Sequence, residues 1–157
     1  MTRTSASISL AAVLGLVLAA SGGSAQSAAA RGQSCTLRIH VDEFRNTRGN
    51  LGTVIFASPA GWPEDTSKSF RHGPAPIDKS TRTSEAEWQI PPGIYGVAVI
   101  HDENSNHKLD RNFLGIPKEG FGFANNPHVG LSAPPFSAAR VRVACPATDI
   151  TIHLIYK

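Results

Sequence analysis

Apolar and polar residues alternate along several stretches of the chain, and this pattern predicts β-strands. From residue 36 the side chains of Leu37, Ile39 and Val41 fall on one face and polar side chains fall on the other, a period of two that indicates a half-buried strand. The run 94–100 is nearly all apolar, which is typical of a central strand covered on both faces. The remaining predicted strands are 51–57, 85–90, 139–145 and 150–156.

The segments between these strands differ in regularity. Residues 46–50 read Asn-Thr-Arg-Gly-Asn and predict a turn that pairs the first two strands as a hairpin. Residues 64–82 are polar and contain two prolines, so they predict an irregular connection with room for one helical turn at 65–70. Residues 113–135 are rich in Gly, Pro and Asn and exceed ordinary loop lengths, so they are either functional or packed as an irregular lobe.

The spacing of the strands predicts the fold class. No segment has a sustained helical period, and there is no internal repeat. Six to seven short strands separated by turn residues indicate an all-β protein that forms a single β-sandwich, either transthyretin-like or immunoglobulin-like.

The first residues predict a cleavable signal peptide at 1–30. Arg3 precedes an apolar run at 8–20, and small residues follow as far as Ala30. The run is shorter than the roughly 20 residues that a membrane span requires, so no membrane span is expected. Cleavage after Ala30 is favoured over cleavage after Ala25. Residues 31–157 then form one β-sandwich domain in the periplasm or outside the cell.

Charge and cysteine content narrow the function classes. The formal net charge is +3, and basic residues are scattered among acids, which argues against nucleic acid as a partner. The chain has two cysteines, Cys35 and Cys145, near the two ends of the predicted domain. In an oxidising compartment such a pair predicts a structural disulfide. No Cys-x-x-Cys motif is present, so thiol redox catalysis is not expected.

Oxygen-bearing side chains on alternate residues after strand 94–100 resemble the front half of a Ca²⁺ loop. Two residues depart from that pattern, since His107 stands where a sharp turn favours Gly and Phe113 stands where a bidentate Glu is usual. Any affinity is therefore expected in the ~10⁻⁴–10⁻³ M range. The alternative is a loop whose Asp and Asn side chains bond their own backbone. The predicted ligands are Asp102, Asn104, Asn106, Asp110, the carbonyl oxygen of Lys108, and Asn112 as an outer ligand.

The segment 113–127 places aromatic residues and glycines beside amide side chains. Aromatic faces with amides nearby predict a binding surface for a peptide, glycan or lipid-derived ligand. Alternatively, the phenylalanines only plug one end of the sandwich. The predicted surface consists of Phe113, Phe121, Phe123, Asn125 and Asn126.

Catalytic and transition-metal patterns are weak. The six histidines show no zinc-ligand spacing and are interpreted as surface or strand-edge residues. No Gly-x-Ser-x-Gly nucleophile motif occurs, and no catalytic residue is predicted. Two alternatives stay open, a small hydrolase that uses Asp102 or Asp110 with His101, and a purely structural envelope protein.

Four motifs stand out along the chain. They are Gly-Trp-Pro at 61–63, Pro-Pro-Gly-x-Tyr at 91–95, His-Asp-Glu-Asn-x-Asn-x-Lys-Leu-Asp at 101–110 and Gly-Ile-Pro-Lys-Glu-Gly-Phe-Gly-Phe-x-Asn-Asn at 115–126. Together they resemble a family of exported bacterial proteins known as domain of unknown function 2141. The family pattern usually has Gly where His107 stands. The strand entry at 91–95 is also similar to transthyretin-like and carboxypeptidase-regulatory sandwiches. The resemblance implies an exported β-sandwich, and it transfers no activity and no catalytic residues.

These observations predict a non-catalytic exported module, with an envelope protein or a small ligand as its partner. Ca²⁺ is the one cofactor that the sequence suggests, through the loop at 101–112.

Overall fold

The computed structural model describes residues 32–157, so the predicted signal peptide at 1–30 lies outside the described residues. The described part contains nine strands and two short 3₁₀ helices, Thr66–Lys68 and Phe136–Ala139. The all-β class is confirmed. The strands are β1 Cys35–Asp42, β2 Asn50–Phe56, β3 Arg71–Ala75, β4 Ile77–Asp78, β5 Thr83–Ile90, β6 Gly93–Asp102, β7 Gly120–Phe123, β8 Arg140–Val143 and β9 Ala147–His153.

Three of these strands were not predicted, which raises the number from six or seven to nine. β3 and β4 lie in the connection 64–82, and β7 lies in the long segment 113–135. All three are short, and β3 contains a proline and a glycine that weaken a strand signal. They become strands because a neighbouring strand supplies their hydrogen bonds.

The strands form two sheets that face each other across the core. One sheet has the order β4-β5-β1-β9. The other has the order β3-β2-β6, and both β7 and β8 pair with the free edge of β6. Every pair is antiparallel except β1 and β9, which are parallel. Leu37 and Ile39 from the first sheet pack with Val97 and Val99 from the second in one apolar cluster.

The predicted hairpin between β1 and β2 is wrong. β1 pairs with β5 and β9, whereas β2 pairs with β3 and β6, so the two strands lie in opposite sheets. Residues 43–49 cross between the sheets, and Phe44 in this crossing is buried against the ring of His101. Gly49 has a φ of 67°, and a Cβ there would lie 1.8 Å from the carbonyl oxygen of Asp102. The crossing therefore passes so closely over the end of β6 that only glycine fits.

β6 is covered on both faces, as its apolar run predicts. Val97 and Val99 point into the main core, while Ala98 and Ile100 pack in a second cluster on the outer face. The last two residues of the strand, His101 and Asp102, are also buried. β6 thus delivers two polar side chains into the interior at one end of the sandwich.

The disulfide between Cys35 and Cys145 is confirmed. It joins the first residue of β1 to Cys145, two residues after the end of β8. Beside the disulfide, the Thr36 N–H donates a hydrogen bond to the Pro146 carbonyl at 3.0 Å. In residues 32–157 no helix has the length and apolar character needed to cross a membrane.

Removing this disulfide should strongly destabilise the domain. The bond closes a loop with a sequence separation of 110, and chain entropy predicts a loss of at most about 5 kcal/mol in the free energy of unfolding for Cys35→Ser with Cys145→Ser. Urea denaturation of the variant and of oxidised and reduced wild type measures the effect. Equal unfolding midpoints for oxidised wild type and the variant would contradict it.

Candidate functional site

The loop after β6 is closed by hydrogen bonds from its own backbone to Asp102. This residue is 1 % exposed, and its carboxylate accepts from the N–H of Asn106 at 3.0 Å and from the N–H of His107 at 2.8 Å. The side chain at the first loop position therefore fixes the curl of the fifth and sixth positions. The same bonds belong to the self-bonded loop that the sequence left as an alternative.

Three more of the predicted ligands meet at one point. The amide nitrogens of Asn104 and Asn106 donate to the carboxylate of Asp110 at 2.8 and 3.0 Å. Their carbonyl oxygens accept from backbone N–H groups two residues later, at 3.1 and 2.9 Å. The third, fifth and ninth loop positions thus face a common centre, with a carboxylate as its charged member.

The two remaining predicted ligands lie at the outer side of the loop. Lys108 is exposed, and its N–H donates to Asn106. The Asn112 side-chain oxygen accepts from the N–H groups of Leu114 and Ile116, at 2.9 and 3.0 Å. Asn112 therefore organises a second turn that follows the loop.

His107 adopts the backbone conformation that glycine usually supplies at this position. Its φ is 63°, and that of Ser105 is 59°, both in the left-handed region that is unfavourable for residues with a Cβ. The loop therefore keeps its tight turn without glycine, at a cost in backbone strain.

Glu119 is a further residue of the candidate site, and it is absent from the predicted ligands. It is 5 % exposed, and its carboxylate accepts from the N–H of Glu103 at 2.9 Å and from the N–H of Asp110 at 3.0 Å. It thus fastens the start of the loop to its end. One signal was available, since Glu119 is the only acidic residue between Asp110 and Asp149 in the sequence.

The carboxylate of Glu103 is held by cationic side chains. Its side chain is 7 % exposed and lies 2.5 Å from an Arg45 nitrogen and 2.6 Å from an Arg48 nitrogen, and Asn46 donates to it at 3.1 Å. Burial would raise the pKa of Glu103, but the hydrogen bonds from Asn46, Arg48 and Arg45 outweigh it and hold that pKa below its usual range.

His101 is fully buried, so its interpretation as a surface or strand-edge histidine is wrong. Its Nε2 lies 2.9 Å from the carbonyl oxygen of Arg48, which can only accept a hydrogen bond. Its Nδ1 lies 2.8 Å from the Tyr156 hydroxyl. The oxygen of that hydroxyl accepts a hydrogen bond from the Arg45 N–H at 3.2 Å. Burial raises the pKa of Tyr156. Both ring nitrogens of His101 are thus engaged within the protein.

An open cleft of about 240 Å³ lies between the Glu103 network and the loop. Its lining mixes both charges. The residues are Arg45, Arg48, Glu103, Asn104, Asp110, Lys118 and Glu119.

The predicted ligand surface is divided by the structure. Phe121 and Phe123 are 6 % exposed each and pack in the second apolar cluster. Asn125 donates to the carbonyls of residues 138 and 140, and Asn126 donates to that of residue 151, so both amides brace the backbone. Phe113 alone of the five is fully in solvent, at 95 % exposed.

A further group of ligand-type side chains lies where β1 and β9 end. Ligand atoms of Asp42, Glu43 and His153 all fall within 4.8 Å of one another, the one such trio among residues 32–157. The ring Nδ1 of His153 lies 2.6 Å from Asp42, and this hydrogen bond raises the pKa of His153. The sequence could not indicate this group, because Asp42 and His153 become neighbours only through parallel pairing.

Residues 39–151 match the model of a protein family described as "Uncharacterized protein conserved in bacteria (DUF2141)". The chain belongs to this family. The match covers β2 to β8 completely, parts of β1 and β9, and the whole loop from His101 to Asn112. A comparison with curated proteins finds no match, and a comparison with solved structures finds none either.

Replacing Glu103 should reveal how much the buried ion pairs contribute. Glu103→Gln should lower the free energy of unfolding by about 1–3 kcal/mol at neutral pH, because Arg45 and Arg48 lose a buried charged partner. The folded-state pKa of Glu103 is depressed, so this stabilisation is complete above the unfolded pKa near 4.5 and is lost as pH falls through the folded value.

Urea denaturation at neutral and acidic pH measures this difference. The gap between wild type and Glu103→Gln should narrow below the unfolded pKa. Glu87→Gln is the matched control, because the Glu87 side chain is 57 % exposed and its pair with Arg38 contributes little. A gap for Glu103→Gln that does not change with pH would contradict the assignment.

Proposed function

We propose that this protein is a non-catalytic exported β-sandwich module whose loop at 101–112 binds Ca²⁺ weakly and is ordered by it. Export is supported by the signal-like residues 1–30 and by the disulfide, which is typical of oxidising compartments.

The observation that carries the proposal is the convergence of the loop side chains. Asn104 and Asn106 both contact the carboxylate of Asp110, and Asp102 holds the backbone curl that brings them there. A Ca²⁺ loop uses side-chain oxygens at these same positions. A bound ion would replace the two amide donors, so the amides would rotate to offer oxygen in place of nitrogen.

Charge also favours a cation at this loop. The carboxylates of Asp102, Asp110 and Glu119 accept hydrogen bonds from N–H groups only. Across residues 32–157, no Lys or Arg nitrogen lies within the ion-pairing distance of 4.0 Å from any of the three, and the histidine at that limit, His107 beside Asp102, is a cation only when protonated. Buried or half-buried negative charge without a cationic side chain is unfavourable, and a bound divalent ion would relieve it.

The non-catalytic interpretation rests on how the alternative hydrolase residues are used. A general base needs an atom within reach of a substrate, but both ring nitrogens of His101 are hydrogen-bonded inside the protein. Asp102 is buried and occupied by two backbone N–H groups. These contacts support a structural role for both residues at the base of the loop.

Calcium should raise the thermal stability of the protein through Asp110. At a Ca²⁺ concentration about tenfold above Kd, mass action gives about 1.4 kcal/mol of stabilisation, or an increase in Tm of roughly 5 °C. Asp110→Asn should abolish the increase, because it removes the charged member of the ligand set. Thermal melts of chelator-treated protein, with and without Ca²⁺, measure it.

Asp149→Asn is the matched control, since it makes the same chemical change at an exposed carboxylate paired with Arg38. It should keep the Ca²⁺ response of wild type. If Ca²⁺ still raises the Tm of Asp110→Asn, the loop is not the binding site. If Ca²⁺ does not raise the Tm of wild type, the loop is self-bonded and binds no ion.

Replacing His107 by glycine should raise the free energy of unfolding of the protein. Glycine adopts the φ of 63° without a Cβ clash, and after allowance for the greater freedom of the unfolded chain the expected gain is about 0.5–1 kcal/mol. The Ca²⁺ affinity should rise with it, because less strain opposes the ion-bound loop. Chemical denaturation and calcium titration calorimetry test the two effects, and His107→Ala separates relief of strain from loss of the imidazole. Equal results for the Gly and Ala variants would be inconsistent with strain at this position.

A further inference from the structure

The turn at residues 112–116, here termed the apolar turn, exposes large hydrophobic side chains in a convex tip. Phe113 is 95 % exposed, Leu114 is 68 % exposed and Ile116 is 41 % exposed. A Cβ added to Gly115 would meet no atom within 4 Å, so the turn projects into open space. Three adjacent exposed apolar side chains are uncommon on a soluble surface and mark a contact region.

Most backbone polar groups of the apolar turn are paired, including four of its five N–H groups. The N–H groups of Leu114 and Ile116 donate to the Asn112 side chain, the Gly115 N–H donates to the Asn112 carbonyl at 2.9 Å, and the Asn112 N–H donates to the Ile116 carbonyl at 2.9 Å. Arg111 donates to the Gly115 carbonyl at 3.0 Å. Pairing of these groups lowers the desolvation cost of placing the turn at an apolar boundary.

The charges around the apolar turn are basic. Between residues 104 and 118 every exposed charged side chain is positive, namely Lys108, Arg111 and Lys118. The one acid in this stretch, Asp110, is half-buried and bonded to two asparagines. Outside the stretch, Glu64 pairs with Arg111 and offsets part of its charge. An apolar tip within a basic surround complements an anionic lipid surface.

We infer that the apolar turn docks this protein on an anionic phospholipid bilayer, with Phe113 and Leu114 inserted among the acyl chains and Lys108 and Lys118 near the headgroups. A fluid bilayer accepts a convex tip without a pre-shaped pocket, whereas a protein partner would have to provide one. This inference is tested without calcium. None of the three apolar side chains belongs to the proposed ion site, and Asn112, the predicted outer ligand, braces the turn through hydrogen bonds that need no ion.

The experiment measures how much of the protein, purified after export, binds to lipid vesicles. Intact-protein mass spectrometry first establishes that wild type and all variants have the same N-terminus. Vesicles of phosphatidylcholine mixed with phosphatidylglycerol are compared with vesicles of phosphatidylcholine alone by co-sedimentation, in chelator. We expect Phe113→Ser with Leu114→Ser to lower the partition coefficient at least about tenfold, because two large apolar side chains no longer insert. Lys118→Gln should lower binding about fivefold, and only to the anionic vesicles.

Leu131→Ser is the matched control, since Leu131 is a leucine on another loop that is more exposed than Leu114. It should bind vesicles like wild type. Phe113→Trp should retain binding and show blue-shifted emission, relative to wild type, when anionic vesicles are added, which reports insertion directly.

Three results would overturn the inference. They are no binding of wild type to anionic vesicles, equal binding by the wild type and the double serine variant, or a concentration-dependent dimer that the double variant abolishes while vesicles have no effect. The last result would assign the turn to a contact between two copies of the chain. Because the assay contains chelator, failure of the proposed calcium site leaves its outcome unchanged.

Discussion

Burial of β6 on both faces is the constraint on which the rest of the structure depends. The strand sits between β2 on one edge and β7 with β8 on the other, and its side chains enter both apolar clusters. A strand so enclosed carries its last two residues into the interior as well. His101 and Asp102 are polar, so the chain around them must supply partners, since unpaired polar groups in an apolar interior are costly.

The surrounding chain meets this requirement in different ways. The crossing 43–49 brings the Arg48 carbonyl to Nε2 of His101, and the Tyr156 hydroxyl contacts Nδ1 of the same ring. The loop after β6 folds its own N–H groups onto Asp102. Glu103 forms ion pairs with two arginines, whereas the Glu119 carboxylate accepts hydrogen bonds from backbone N–H groups alone. The candidate site is thus a set of carboxylates whose positions are fixed by the sandwich, and only part of their charge is balanced by side chains.

The same loop separates its polar and apolar sides. Its carboxylates and amides bond one another and the loop backbone, while Phe113 and Leu114 face solvent on a turn that Asn112 and Arg111 brace. A polar cation site and an apolar tip on one continuous segment allow two surfaces with different chemistry. Because the loop begins at buried β6 and returns to β7 on the same edge, both surfaces are held by rigid elements at each end.

Local pattern in the sequence determined six of the nine strands, the disulfide and the position of the loop. Alternation at 36–41 and the apolar run at 94–100 required strands of the observed kind, and two cysteines in one domain left one pairing. The spacing of Asp102, Asn104, Asn106 and Asp110 singled out residues that the structure does bring together or place at one turn.

Tertiary structure alone decided which strands pair and which polar residues are buried. The turn at 46–50 is compatible with a hairpin, but burial of Phe44 against His101 sends the chain to the other sheet. Glu119 and His101 gained their roles from partners far away in the sequence, and Phe113 was exposed while Phe121 and Phe123 were buried, although all three stand in one segment. Periodicity reports only which side of a local element a residue faces. Whether that side meets water, the core or a distant carboxylate depends on contacts between elements, and these contacts form only as the whole chain folds.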